Sequence, residues 1–225
     1  MAGRYQARRR LPDLPLTMHT AGTDHHLTVP TNRETGLDYF ISAHLDRVAA
    51  AEISALQQPF ARDFGSAIWL APPTALHVTL MDWVTFSTKK VAERDRSFEQ
   101  VRQHYIETLE HILASMQPIR LNYQEVRVTS NAVILVARDD GSFARIRSQF
   151  LDQVELLPGT RQPPGLVHTT IVRFWRVLPL KDVETITSSL SPDITTTVTE
   201  FQLDRFTESP VEELESQQIF KLETD

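Results

Sequence analysis

Two pentapeptides decide the reading, Leu76-His77-Val78-Thr79-Leu80 and Val167-His168-Thr169-Thr170-Ile171, which share one pattern: apolar, His, any residue, Thr, apolar. Both lie in β-prone runs, Leu76 to Phe86 and Leu166 to about Val177, each preceded by a proline pair, at 72–73 and 163–164. On a strand, residues i and i+2 face the same way, so each His projects beside its Thr while the flanking apolar side chains enter a core. Each strand therefore offers an imidazole next to a hydroxyl. A third match, His26-Leu27-Thr28, follows another histidine rather than an apolar residue and lies outside any periodic segment. With 8 histidines in the chain, demanding apolar neighbours on both sides leaves a chance expectation of roughly 0.1. Two such matches on separate strands point to function.

Around the first motif, Tyr39 to Leu45 reads as a strand, with Asp46 as N-cap of a helix from Arg47 to about Gln58, closed before Pro59. Ala67 to Leu70 is a short apolar stretch. Between the motifs, Phe98, Val101, Tyr105, Leu109, Ile112 and Met116 recur at helical spacing over 94–116. Ile119 to Val128 and Ala132 to Ala137 read as a hairpin turning at Ser130-Asn131. A helix follows over 143–154, with Ser142 as its cap. After the second motif come a short helix near 181–190 and strands near 195–206 and 218–222. Strands outnumber helices and several are joined by short turns, so the expected fold class is α+β with antiparallel sheets.

Two His-Thr pairs facing one another suit phosphoryl chemistry. One neutral imidazole takes a proton from the attacking water or hydroxyl, and the other, protonated, gives one to the departing oxygen. Histidine fits both tasks because its ordinary pKa lies near neutrality. The threonine hydroxyls can donate to the non-bridging phosphate oxygens and fix the phosphorus between the two rings.

The paired motif resembles the two-histidine phosphoesterase superfamily, which includes RNA 2′–5′ ligase-like proteins and cyclic nucleotide phosphodiesterases. The resemblance covers roughly residue 37 to the C-terminus. It implies a bilobal α+β fold, two antiparallel sheets with flanking helices related by pseudo-two-fold symmetry around a central cleft. It also implies His77 and His168 as acid and base, Thr79 and Thr170 as phosphate donors, and action on a cyclic phosphodiester such as a 2′,3′-cyclic nucleotide or RNA end. Where many members continue the first motif with Phe-Leu-Gly, this chain reads Met81-Asp82-Trp83-Val84. Arg173 resembles the arginine often found five positions after the second histidine. By strict alternation it faces away from His168 and Thr170, and it reaches the phosphate only with a bulge or a strand end. Trp83 shares the parity of His77, and Phe174 that of His168, so each is a candidate for stacking on a base, with core packing or lobe contact as the alternative.

Composition narrows the rest. The chain has 225 residues, no cysteine and a net charge of −6. Disulfides and cysteine-ligated zinc are excluded, and a broad basic surface for long duplex nucleic acid does not fit. His19, His25 and His26 have only Asp24 nearby, so no metal and no cofactor are expected. His44, His104 and His111 read as surface or boundary residues without partners. No apolar run approaches a membrane span. The expected protein is a soluble, cytoplasmic monomer whose partner is a small nucleotide or an RNA end. Arg4, Arg8, Arg9 and Arg10 mark residues 1–36 as a disordered basic tail, leaving 37–225 as a single domain. Two readings from other classes use the same residues: a module that holds a nucleotide or RNA end without turnover, and a purely structural interaction protein.

Overall fold

The computed structural model describes residues 20–22, 38–85, 91–206, 211–212 and 214–223. In chain order the elements are β1 (Thr20–Ala21), β2 (Asp38–His44), α1 (Arg47–Phe64), β3 (Ile68–Leu70), β4 (His77–Val84), α2 (Val91–Leu113), β5 (Ile119–Val128), β6 (Ala132–Arg138), α3 (Ser142–Leu151), β7 (Val167–Phe174), β8 (Leu178–Pro179), α4 (Leu180–Ser189), β9 (Ile194–Val198), β10 (Glu200–Phe206) and β11 (Glu215–Lys221). They build the α+β architecture: an antiparallel four-stranded sheet, β11-β10-β2-β4, and an antiparallel five-stranded sheet, β3-β7-β6-β5-β9. β1 pairs only with β8, and Gly22 N–H donates to the Ser130 carbonyl at 2.5 Å. The rest of the stretch read as a tail, with His19, His25 and His26, lies outside the described residues, as does Phe86.

The two motif strands lie in different sheets and belong to a repeated unit. In each, a strand leads into a helix and returns as the antiparallel neighbour carrying His-x-Thr: β2, α1, β4 and then β6, α3, β7. The helices are exchanged between the units. α1 packs against β3, β7 and β9 of the five-stranded sheet, and α3 against β4 of the four-stranded one. One continuous apolar core results, with Phe60, Trp83, Phe143, Phe150, Phe174 and Phe201 fully buried.

Three local expectations are corrected. α1 continues through Pro59 to Phe64; the local cost of an internal proline, about 3 kcal/mol, is offset by burying Phe60, which lies beyond it. The segment 195–206 is two strands in different sheets, β9 and β10, parted at Thr199, whose carbonyl accepts from Leu222 N–H. Ser142 is the first residue of α3 rather than its cap. Gly141 takes the cap position at φ 90°, a conformation costly for any residue with a Cβ, and the Asp139 and Asp140 carboxylates accept from Phe143 N–H (2.8 Å) and Ser142 N–H (3.0 Å). Asp46 caps α1 as expected, accepting from Val48 and Ala49 N–H at 2.8 and 2.9 Å.

Both motif strands depart from regular pairing at the same place. Ser42 and Ile41 of β2 oppose Thr79 and Met81, so Leu80 is an extra residue; a second irregularity follows at Trp83, between Asp82 opposite Phe40 and Val84 opposite Tyr39. Ile134 and Val133 of β6 oppose Thr170 and Val172, so Ile171 is extra. The Leu80 and Ile171 bulges each fall three positions after the histidine, where the ladder is locally disrupted. The exchanged helices donate to the carbonyls there. Arg147 of α3 donates to the Leu80 carbonyl (2.6 Å), the Thr79 carbonyl (2.9 Å) and the Leu166 carbonyl (3.4 Å). Gln57 of α1 donates to the Ala71 carbonyl (2.9 Å) and to the Ile171 carbonyl (2.8 Å), which also accepts from Ala71 N–H (3.1 Å). Both clamping residues are buried, and burial pulls the Arg147 guanidinium down to about 10, still charged at neutral pH. Replacing Arg147 by Leu orphans these carbonyls, so it should cost about 3 kcal/mol, read as a lowered urea midpoint at unchanged slope. Arg145→Leu on the exposed face of the same helix should cost about 0.5 kcal/mol or less.

Candidate active site

The bulges decide what faces the cleft between the sheets. Beyond Leu80 the parity of β4 reverses, so Asp82, opposite Phe40, shares the face of His77 and Thr79. Beyond Ile171 the parity of β7 reverses likewise, so Arg173, opposite Ala132, joins His168 and Thr170. All six side chains line one cavity of about 250 Å³. The bulge that strict alternation lacked is present, and Arg173 reaches the cleft.

The same reversal removes two expected residues. Trp83 and Phe174 turn into the core and are fully buried. Trp83 stacks on Phe150, with centroids 5.9 Å apart, and meets Tyr105 edge-on at 5.4 Å. Neither ring is available to a base. Of the aromatic side chains lining the cavity, Phe40 and Phe206 are buried, while Trp69 of β3 is half-buried and lies directly opposite Arg173 in the sheet register. Sequence reading passed over it because its strand is only three residues long. The signal for the reversal was in the sequence. Both motifs carry two consecutive apolar residues after the threonine, Leu80-Met81 and Ile171-Val172, then a charged residue and an aromatic one. An inserted residue is the arrangement that exposes the charges and buries the rings.

Each imidazole is held from behind by its own chain. His77 Nδ1 lies 2.8 Å from the Ala75 carbonyl. A carbonyl only accepts, so Nδ1 carries a proton and the neutral ring keeps Nε2 as its unprotonated nitrogen. For His168 the backbone of Leu166, also two residues back, favours the protonated ring. Both rings hold their protons less tightly than an ordinary histidine. For His77 the main cause is burial, opposed by the Ala75 carbonyl and the Asp204 carboxylate and reinforced by His44 and Arg173. For His168 burial again leads, reinforced by Arg147, Arg173 and Arg127 and opposed by the Leu166 backbone. His44 is not without a partner, since its Nε2 lies 2.8 Å from the fully buried Asp204, which also accepts from Ser42 Oγ at 2.5 Å. Thr169, the residue between His168 and Thr170, faces the core, where its hydroxyl meets Tyr123 Oη at 2.8 Å.

The two halves differ in charge. Opposite Arg173, the four-stranded sheet contributes Asp38 and Asp82, bridged by Arg161 from the loop before β7. Arg161 Nε lies 3.1 Å from Asp82 and Nη2 lies 3.3 Å from Asp38. Burial raises the Asp82 carboxyl above the usual range, against the pull of Arg161. Phe40, Phe206 and Val211 form an apolar edge beside His77, and the Phe40 and His77 ring centroids are 5.4 Å apart. Among the described residues, no three His, Asp or Glu side chains gather as a metal ion would require. No helix among them is long and apolar enough to cross a membrane.

No family model and no curated protein matches the chain. Solved structures do. A conserved protein of unknown function from Agrobacterium tumefaciens superimposes with a TM-score of 0.64 at 14% identity, covering 88% of this chain and 94% of its own. LigT of E. coli, crystallised with NADP+, gives 0.53 at 16% identity over 84% of this chain and 99% of its own, and further LigT structures contain 3′-AMP or ATP. A protein described as a phosphoesterase gives 0.55 at 15% identity over 84% and 99%. The shared fold is consistent with the resemblance carried by the two motifs.

The placement of the tryptophans gives a direct check. Acrylamide quenching of the intrinsic fluorescence should fall when Trp69 is replaced by Phe, because its ring is half-buried at the cavity, and stay unchanged when fully buried Trp83 is replaced.

Proposed function

We propose that this chain is a metal-independent phosphoesterase that opens a cyclic phosphodiester, a 2′,3′-cyclic nucleotide or an RNA end bearing one, by two-histidine acid–base catalysis. The observation that carries the reading is the convergence of both His-x-Thr faces and Arg173 on one cavity, with the Ala75 carbonyl fixing the tautomer of His77. The fold shared with LigT, which binds nucleotides, supports the substrate class.

In this reading the phosphate lies between the two strands, its non-bridging oxygens receiving Thr79 and Thr170 hydroxyls and its charge facing Arg173. A water attacks phosphorus along the line opposite the departing ribose oxygen. As the new P–O bond forms, one imidazole takes the water's proton on Nε2. As the ring P–O bond breaks, the other gives its proton to the leaving oxygen, yielding a phosphomonoester and a free hydroxyl. Half-burial serves this chemistry because donors in a site of low polarity stabilise the charge that builds on the phosphoryl oxygens.

Turnover of 2′,3′-cyclic nucleotides should survive EDTA. His77→Ala and His168→Ala should each lower kcat by about 10²–10⁴-fold, the size of one acid–base contribution, and Thr79→Ala and Thr170→Ala by less. Nucleotide binding retained by a wild-type protein that gives no turnover would favour the binding-module reading instead.

The pH profile has a definite sign. Folding lowers both imidazole pKa values, so the protonated partner is lost as pH rises through a range below the ordinary value of about 6.5. The optimum of kcat/KM, which reports the free enzyme, should therefore lie on the acid side of neutrality. A steady rise in kcat/KM from pH 6 to pH 8 would contradict the assignment.

A further inference from the structure

The four-stranded sheet turns more than its histidine strand toward the cleft. Alternation along β2 puts Phe40, Ser42 and His44 on one face, and their partners on β4 are Asp82, Thr79 and His77, which line the cavity. On the other side of β2, Asp204 of β10 stands opposite Phe40 and shares that face. His44 Nε2 lies 2.8 Å from Asp204 Oδ2, and Ser42 Oγ donates to the same oxygen. An ionised carboxylate only accepts, so Nε2 carries the hydrogen of this bond. Asp204 and Ser42 are fully buried, and Asp204 Oδ1 has no hydrogen-bond partner among the described residues. The other half-site is built without such a group. Opposite Thr170 and His168, β6 carries Ile134 and Val136 where β2 carries Ser42 and His44. A buried carboxylate with one oxygen unserved is costly, and the apolar residues of the second unit fill the same place without it.

We propose that Asp204 and His44 are positioning residues for His77: the carboxylate fixes the His44 ring at the place opposite His77 in the strand register, and the opposed charges of the pair govern when His77 holds its proton. This rests on the phosphoesterase reading of the cleft, in which His77 gains and loses a proton in every cycle. The titratable and charged groups that face His77 are Asp204 from β10, His44 from β2 and Arg173 from β7. Burial is the main influence against its proton; the Ala75 carbonyl and Asp204 favour the proton, and His44 and Arg173 oppose it. Around His168 the charged groups are all cations, Arg147, Arg173 and Arg127. Only the first histidine therefore has a carboxylate–imidazole pair acting on it. Two opposite charges at different distances do not cancel, and removing either leaves the other acting alone.

The test is an NMR titration of the His77 ring in the full chain, its signal identified by its loss in His77→Gln, alongside the pH profile of kcat/KM for a 2′,3′-cyclic nucleotide. His44→Gln keeps a donor to Asp204 and removes the positive charge, so the His77 midpoint should rise by about half a pH unit, the effect of one screened charge at cross-strand distance. Asp204→Asn keeps the shape and removes the negative charge, so the midpoint should fall by a similar amount. The limb of the kcat/KM profile that reports His77 should move the same way in each variant. A merely structural role predicts lost stability with the midpoint in place. A midpoint unmoved by His44→Gln, or moved the same way by both substitutions, overturns the pair; it leaves the hydrolase reading standing where turnover is intact and overturns both where there is none. Opposite shifts in a protein that gives no turnover keep the pair and overturn the hydrolase reading. Should Asp204→Asn fail to fold, the sign of the His44→Gln shift decides alone.

Discussion

The site depends on a pair of inserted residues. Leu80 and Ile171 each occupy a β-bulge immediately after a catalytic-type threonine, and each bulge turns the strand so that the next charged residue joins the histidine face. Without the insertions, Arg173 would lie on the core side of its sheet and two large aromatic rings would lie in the cleft. A bulge leaves backbone groups without their ladder partners, and inside a protein such groups must be satisfied. Here Arg147 meets the Leu80 carbonyl, and Gln57 joins Ala71 N–H on the Ile171 carbonyl, each a buried side chain from the helix of the other unit. The exchange of helices between sheets is thus tied directly to the geometry of the cleft. It also makes the two halves interdependent, since a change that loosens either helix loosens the histidine strand opposite.

Electrostatics then gives the halves different tasks. The imidazoles are both half-buried and short of proton affinity, which suits a pair that must exchange protonation states in a cycle. The charged residues beyond the bulges break the symmetry. Arg173 supplies a cation where a phosphate would rest, and the Asp38, Asp82 and Arg161 group supplies acceptors on the far wall.

Much of this was legible in the sequence, for local reasons. His-x-Thr on a strand depends on alternation over three residues, which holds for His77 and Thr79 and for His168 and Thr170. The α+β class and the long helix α2 followed from periodicity over many residues. What failed did so where tertiary contacts overrule local rules. Pro59 is tolerated within α1 because Phe60 beyond it is buried, and 195–206 is divided between sheets at Thr199, which composition does not mark. Trp83 and Phe174 are cleft candidates only if alternation is counted past the positions where it stops, and the alternative of core packing is the one the fold adopts. The residues that make those stops possible, Gln57 and Arg147, are far from the motifs in sequence, and their pairing emerges only when the chain is folded. The repeated order of two apolar residues, one charged and one aromatic after each threonine is the local trace of the bulge. It is readable only when the two motifs are set side by side.

The measurement that bears most directly on this picture is a crystal structure with a nucleoside 3′-phosphate bound. If the bulges gather both half-sites on one phosphate, its oxygens will lie about 2.6–3.2 Å from Nε2 of both His77 and His168, with the Thr79 and Thr170 hydroxyls and Arg173 in contact. A phosphate that engages only one histidine, or that binds outside the cavity with Arg173 turned away, would contradict it.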